Sequence, residues 1–297
     1  MLKSTLAAFA RVDIPVEMRV EMLVVDNGSV DDTPEVIRSA SHRQIKICYI
    51  YEPLPGKSRA LNAALAAAKG EVILFTDDDV VPAEDWIEEM SKPLLERQCD
   101  AVAGRILLAE SLHRPWFTPM HELWLAFIRE PAGNSPELVG ASMGIHRSVF
   151  DRFGAFDENL GPGASGFGEE TLLCSQMHEA GLRILPVMET HVVHYPEESR
   201  LLRASWLAAA ARFGHTQAYV MHHWEHSRER YPAAQLSWIR MKLFLRSLFR
   251  QTPALEAEGC PAWEMSYLVR IETLRRFMKE SRNPRNYERR GLRKVAG

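Results

Sequence analysis

Ile73-Leu74-Phe75-Thr76-Asp77-Asp78-Asp79-Val80-Val81-Pro82 runs from an apolar strand straight into three consecutive carboxylates. Adjacent like charges repel, and burial raises their pKa values unless something positive compensates. A core strand gains no stability by ending this way. The triplet is therefore either a solvated turn ahead of a helix whose N-terminus favours acids, or the holder of a cation. Asp77, Asp78 and Asp79 offer hard oxygen ligands of the kind that Mg²⁺ and Mn²⁺ prefer. A metal held there could bridge two phosphates and neutralise charge on a departing diphosphate.

On both sides of this stretch, strands alternate with helices. Residues 21–26 form an apolar strand ending in Asp26, followed by the turn signal Asn27-Gly28-Ser29. Asp32, Thr33 and Pro34 open a helix. Residues 45–51 read as a strand, 53–56 as a loop, and 58–69 as an Ala-rich helix stopped by Gly70. Pro82 opens a helix over 83–97, and 101–108 is a further strand. The alternation predicts an α/β fold with a mainly parallel sheet, in which ligands sit outside the carboxyl ends of the strands. Asp26 and the triplet both fall at such ends. Residues 109–137 are rich in Trp, Phe, Pro and His. Residues 138–146 are apolar and small. A glycine-rich run over 161–168 leads into Glu169-Glu170 and a helix to Ala180. A strand over 183–194 follows, and after Pro196 the pattern is helical, broken near Pro232, Pro253 and Pro261.

The 297 residues can bury a real core and allow one domain with an appendage, or two domains. The charge is divided: residues 1–225 carry 20 Lys/Arg against 32 Asp/Glu, and residues 226–297 carry 16 against 7. An acidic body with a basic tail region follows. Cys48, Cys99, Cys174 and Cys260 form no CxxC pair, so a reducing, cytoplasmic setting is expected. No apolar run reaches the roughly 18 residues that span a bilayer, and no signal-peptide pattern opens the sequence.

Five segments taken in order resemble the family 2 glycosyltransferases of the GT-A fold. Val24-Val25-Asp26-Asn27-Gly28-Ser29-Val30-Asp31-Asp32-Thr33 is similar to the nucleotide-binding segment. Pro55-Gly56-Lys57-Ser58-Arg59-Ala60-Leu61-Asn62 is similar to the next motif, and Thr76-Asp77-Asp78-Asp79 to the DxD metal motif. Gly166-Phe167-Gly168-Glu169-Glu170-Thr171 resembles the G-x-G-E-D-T segment, and Val192-Val193-His194-Tyr195-Pro196 a late metal-ligand segment. The family's usual first strand, with a P-T-Y-N-like motif that wraps the base, has no counterpart here.

The resemblance implies a GT-A domain over residues 1–200 and a helical, basic extension over 201–297. It implies a metal-dependent, inverting transfer of a sugar from a nucleotide-diphosphate donor, UDP-linked, to an acceptor hydroxyl. That acceptor would be a saccharide, a lipid-linked saccharide or a small molecule, as in polysaccharide or glycolipid synthesis at the cell envelope. Asp26 would meet the base edge, and Lys57 and Arg59 would lie near the base or phosphates. Asp77 would contact the ribose region, with Asp78 beside it. Asp79 and His194 would hold Mn²⁺ or Mg²⁺. Glu170 takes the place of the family's catalytic Asp and would be the general base, with an arm one methylene longer.

Residue by residue, plainer readings stay open. Asp26 also suits an Asx turn, Lys57 and Arg59 a solvated helix start, Glu170 a helix N-terminus, and His194 a structural role. Two other functions also stay open: a non-catalytic binding module, and a haloacid-dehalogenase-like phosphohydrolase. In the tail, Met241, Phe244, Leu245 and Leu248 recur at helical spacing over residues 236–250, with Lys242, Arg246 and Arg250 at i, i+4, i+8. That helix either touches anionic lipid headgroups at the inner face of a membrane or packs with its charges in water. No reading motif for nucleic acid accompanies the charge.

Overall fold

Strand-forming and helix-forming stretches settle into ten helices and seven strands among the residues described by the computed structural model, 1–130, 136–248 and 253–295. They divide into two compact units. The first holds residues 1–113, 125–158 and 169–196; the second holds 114–124, 159–168 and 197–297.

In the first unit, α1 (Leu2–Phe9) precedes β1 (Val20–Asp26), α2 (Thr33–Ser39), β2 (Ile45–Tyr51) and α3 (Lys57–Ala67). Then come β3 (Val72–Phe75), β4 (Val80–Pro82), α4 (Trp86–Leu95) and β5 (Ala101–Leu108). β6 (Met143–His146), α6 (Arg147–Phe153), α7 (Glu169–Glu179) and β7 (Ile184–His194) complete it. β1 and β2 pair in parallel as a two-stranded sheet. The other five strands run in the order β3-β6-β5-β7-β4. The α/β architecture is as expected, but the sheets are mixed rather than mainly parallel. Only β1/β2 and β5/β7 are parallel, while β3/β6, β5/β6 and β4/β7 are antiparallel.

One cause of the difference lies beside the Asp triplet. Val80–Pro82 is a short edge strand and not the entry to a helix. Two β-branched residues favour extended backbone, and Pro is tolerated at an edge. The helix starts only at Trp86, behind Asp85, whose Oδ1 accepts a 2.6 Å hydrogen bond from Thr190. Both sheets share one core. Met90, Leu94, Val102, Ile106 and Val192 lie at its centre, with Val20 and Met22 of β1 and Val72 and Leu74 of β3 packed against it. Gly144 on β6 exists for this packing: a Cβ there would stand 2.8 Å from both Leu74 and Val102 side chains.

The second unit is helical. It contains α5 (Pro119–Trp124), α8 (Arg203–His223), α9 (Pro232–Leu248) and α10 (Ala262–Glu280). Its helix breaks fall at the prolines that predicted them. α8 packs along α10 through Gly214, where a Cβ would meet the Val269 carbonyl oxygen at 2.6 Å. Trp116, Trp124, Phe167, Trp206 and Phe213 form a ring cluster within this unit. The glycine-rich run is a closed turn on α8. Gly161 N donates to Phe167 O, as does Thr216 Oγ1, and Gly166 and Gly168 leave room for Arg212 and Thr216.

Candidate active site

The carboxylates collect on one side of the first unit because several elements start or end there. β3 ends just before Asp77, α3 begins at Lys57, and α7 begins with Glu169 and Glu170. Lys57 Nζ stands 2.9 Å from Asp77 Oδ1 and 3.8 Å from Glu169 Oε1. Burial would lower the Lys57 pKa, but Asp77, Glu170 and Glu169 outweigh it and hold the ammonium charged well above its ordinary range. This lysine is the positive group that the acidic cluster requires. Glu170 Oε1 accepts a 3.1 Å hydrogen bond from the Gly140 amide.

Sequence reasoning assigned nothing to Glu169 or Gly140. Glu169 is only 3% exposed, and its Oε2 has no hydrogen-bond partner among the described residues. Burial, then the neighbouring Glu170, push its carboxyl up to about 8, with Lys57 pulling the other way. Gly140 fits because it has no side chain: a Cβ would lie 2.9 Å from Lys57 Nζ and 3.1 Å from Glu170 Oε1. The signal was present in the small residues Gly140, Ala141, Ser142 and Gly144.

Asp79 and His194 meet through strand register. Val80 pairs with His194 across β4 and β7, and Tyr195 N donates to the Asp79 carbonyl at 2.7 Å. His194 Nε2 then lies 3.3 Å from Asp79 Oδ2. Its Nδ1 lies 2.8 Å from the Leu125 carbonyl, which can only accept, so Nδ1 carries the proton. In the neutral ring Nε2 is a lone pair facing a carboxylate oxygen, and such a contact is relieved by a proton or a cation between them. A buried imidazole fixed by a backbone carbonyl at its far nitrogen is a common arrangement for a metal ligand. Among the described residues no group of three or more His, Cys, Asp or Glu is placed to hold a metal. Two protein ligands suffice for an ion that keeps waters and binds substrate phosphates. Asp78 faces solvent, while Thr5 Oγ1 donates to its carbonyl at 2.8 Å. Partial desolvation and the flanking Asp79 and Asp77 raise its pKa.

Asp26 closes β1, buried at 2% exposure. Oδ1 accepts from the Ser29 amide at 2.8 Å and Oδ2 from the Tyr49 hydroxyl at 2.9 Å. Burial would raise its pKa, but these hydrogen bonds hold it below the ordinary aspartate range. The next residue ties this turn to the lysine: Asn27 Oδ1 accepts from Gly56 N at 2.7 Å, one residue before Lys57. Arg59 points elsewhere, to Glu158 at 2.9 Å. Asn62 clamps the chain at Phe156, donating to its carbonyl and accepting from its amide. Lys57, Asp77, Glu169 and Glu170 thus form one cluster and Asp79 and His194 a second, joined by the triplet; Arg59 is outside both.

The profile of glycosyl transferase family 2 matches residues 1–154. The chain belongs to this family. An N-acetylglucosaminyltransferase of Rhizobium meliloti is 31% identical over 199 residues, covering 62% of this chain and 45% of that protein. A pre-mycofactocin glycosyltransferase of Mycobacterium tuberculosis is 25% identical over 203 residues, covering 66% of this chain and 41% of that protein. The chain therefore spans less than half the length of these relatives. Among solved structures, the mannosyltransferase PcManGT of Pyrobaculum calidifontis, in complex with GDP-Man and Mn²⁺, superposes with a TM-score of 0.59. It is 18% identical and covers 94% of this chain and 82% of that one. That likeness establishes the GT-A fold. Family membership sets aside the phosphohydrolase alternative.

Proposed function

We propose that this glycosyltransferase moves a sugar from a nucleotide-diphosphate donor, UDP-linked, to an acceptor hydroxyl in a single inverting displacement. The observation that carries the reading is the His194–Asp79 contact, an imidazole nitrogen 3.3 Å from a carboxylate oxygen of the last residue of the triplet. A divalent ion, Mn²⁺ or Mg²⁺, held by these two side chains would neutralise charge on the departing diphosphate. Glu170 takes the acceptor proton as its oxygen bonds to the anomeric carbon. The bond from that carbon to the diphosphate oxygen breaks, and the electron pair leaves with the nucleotide.

Glu169 beside Glu170 supports this assignment. Two carboxyls so close do not both ionise readily, and burial keeps the proton on Glu169. Glu170 is held by the Gly140 amide and lies near the Lys57 charge, which places its carboxyl for the base role. Lys57 holds Asp77 in place and supplies positive charge toward the donor phosphates. Asp26 would meet the base through lone pairs left beside its Ser29 and Tyr49 hydrogen bonds. The transferase domain is read as residues 1–200, of which 114–124 and 159–168 are grouped with the second unit, and 201–297 as its helical extension. The acceptor is a saccharide, lipid-linked or small-molecule hydroxyl, chosen by residues within 109–146, of which 131–135 lie outside the described residues.

The test is nucleotide release from UDP-, GDP- and dTDP-sugars against a panel of hydroxyl acceptors, with Mn²⁺ and with chelator. Glu170→Gln is expected to lower kcat by 10² or more with little change in donor binding, as for loss of a general base. Unchanged turnover in Glu170→Gln overturns its role.

A further inference from the structure

α9 has two apolar faces, and among the described residues only one of them is packed. Leu236, Ile239 and Leu243 pack on Ile271, Leu274 and Met278 of α10. At about 100° per residue, Trp238, Met241, Leu245 and Leu248 fall at i, i+3, i+7 and i+10 on the opposite side, with Phe244 beside them. All five are exposed, from Met241 at 43% to Phe244 at 62%. A helix wanting only one neighbour would carry polar residues there.

The charges around this stripe are of one sign. Residues 232–248 contain Arg240, Lys242 and Arg246 and no Asp or Glu. On the helical wheel Arg240 borders the exposed stripe on one side and Lys242 on the other. Lys242 Nζ sits 4.9 Å from the centre of the Trp238 ring, its stem lying along the apolar edge. Among the described residues no helix is long and apolar enough to cross a membrane. An outward apolar stripe between two basic borders suits a surface that is apolar within and anionic at its rim. A second copy of the chain does not suit it, because a two-fold pairing of the stripe sets Arg240 and Lys242 against like charges.

We infer that the exposed face of α9 is a docking surface for an anionic lipid bilayer, with Trp238, Met241, Phe244, Leu245 and Leu248 entering the headgroup boundary and Arg240 and Lys242 meeting lipid phosphates. Residues 249 and 250, with which the basic repeat ends at Arg250, lie outside the described residues. The inference rests on the surface of α9 and not on the catalytic reading.

The experiment is co-sedimentation of the full chain with vesicles of phosphatidylcholine, alone or with about 30 mol % phosphatidylglycerol. Binding to the anionic vesicles is expected, about tenfold or more above binding to the neutral ones, and weaker as salt rises from about 0.1 M to about 1 M. Phe244→Ser with Leu245→Ser removes it. Arg240→Gln with Lys242→Gln lowers it to the level of the neutral vesicles. These side chains are exposed, so all variants should melt like the parent, and turnover of a soluble acceptor should not change. No binding to either vesicle overturns the inference, as does equal binding by the double-serine variant. A concentration-dependent dimer that Leu245→Ser dissolves, without vesicle binding, would instead assign the face to a second copy.

Discussion

Replacing Glu169 by Gln should stabilise the protein, and by more as the pH rises. The folded chain keeps a proton on Glu169 up to about pH 8, whereas an ordinary glutamate releases it near 4.5. A folded-state pKa above the unfolded one contributes stability that is fully present below about pH 4.5 and lost as pH rises through about 8. At about 1.4 kcal/mol per unit, the loss by pH 7 is on the order of 3 kcal/mol, and relaxation of the site would trim it to about 1–3. Gln has the same shape and never ionises, so it retains what Glu169 loses. Each kcal/mol is worth about 2–4 °C in a chain of this size. Thermal melts of the two proteins at about pH 5, 6, 7 and 8 should therefore start close together and diverge by several degrees. A constant difference across that range, or a Gln variant that becomes less stable as pH rises, would refute the idea that burial and Glu170 hold the proton on Glu169.

Tyr49→Phe removes the hydrogen bond to Asp26 Oδ2 and should cost about 1–2 kcal/mol at pH 7 by denaturant melts. Because the Asp26 pKa is depressed, its contribution exists above the ordinary aspartate pKa and fades as pH falls through the lower folded value, so the cost should shrink in acid. Gly140→Ala drives a methyl toward Lys57 Nζ and Glu170 Oε1, so steady-state kinetics should show kcat falling about tenfold or more while the melting temperature moves little.

The fold was legible wherever local pattern and tertiary packing agreed. Strand, turn and Pro34 signals around Asp26 led to β1 and α2, and the prolines after residue 196 marked the helix breaks. Strand direction was less legible, because β6 and β4 owe their antiparallel partners to contacts far along the chain. Val80–Pro82 read as a helix entry because its partner, β7, lies more than 100 residues away. In the site, the triplet demanded a compensating charge, and Lys57 supplies part of it. Which acid lies buried was not readable from Glu169-Glu170, since it depends on which side of the first α7 turn meets Lys57. Arg59 resembled a phosphate ligand by motif, yet its pairing with Glu158 depends on a distant loop.

The most direct test of the central claim is the thermal stability of the chain and of Asp79→Ala with UDP, GDP or dTDP, each with and without Mn²⁺. A ligand that binds only the folded state at about 100 times its Kd adds about 2.7 kcal/mol. The parent should rise by several degrees with one nucleotide only when Mn²⁺ is present, and Asp79→Ala should not respond. No rise with any pair, or an equal rise in Asp79→Ala, would contradict a metal-assisted donor site built on Asp79 and His194.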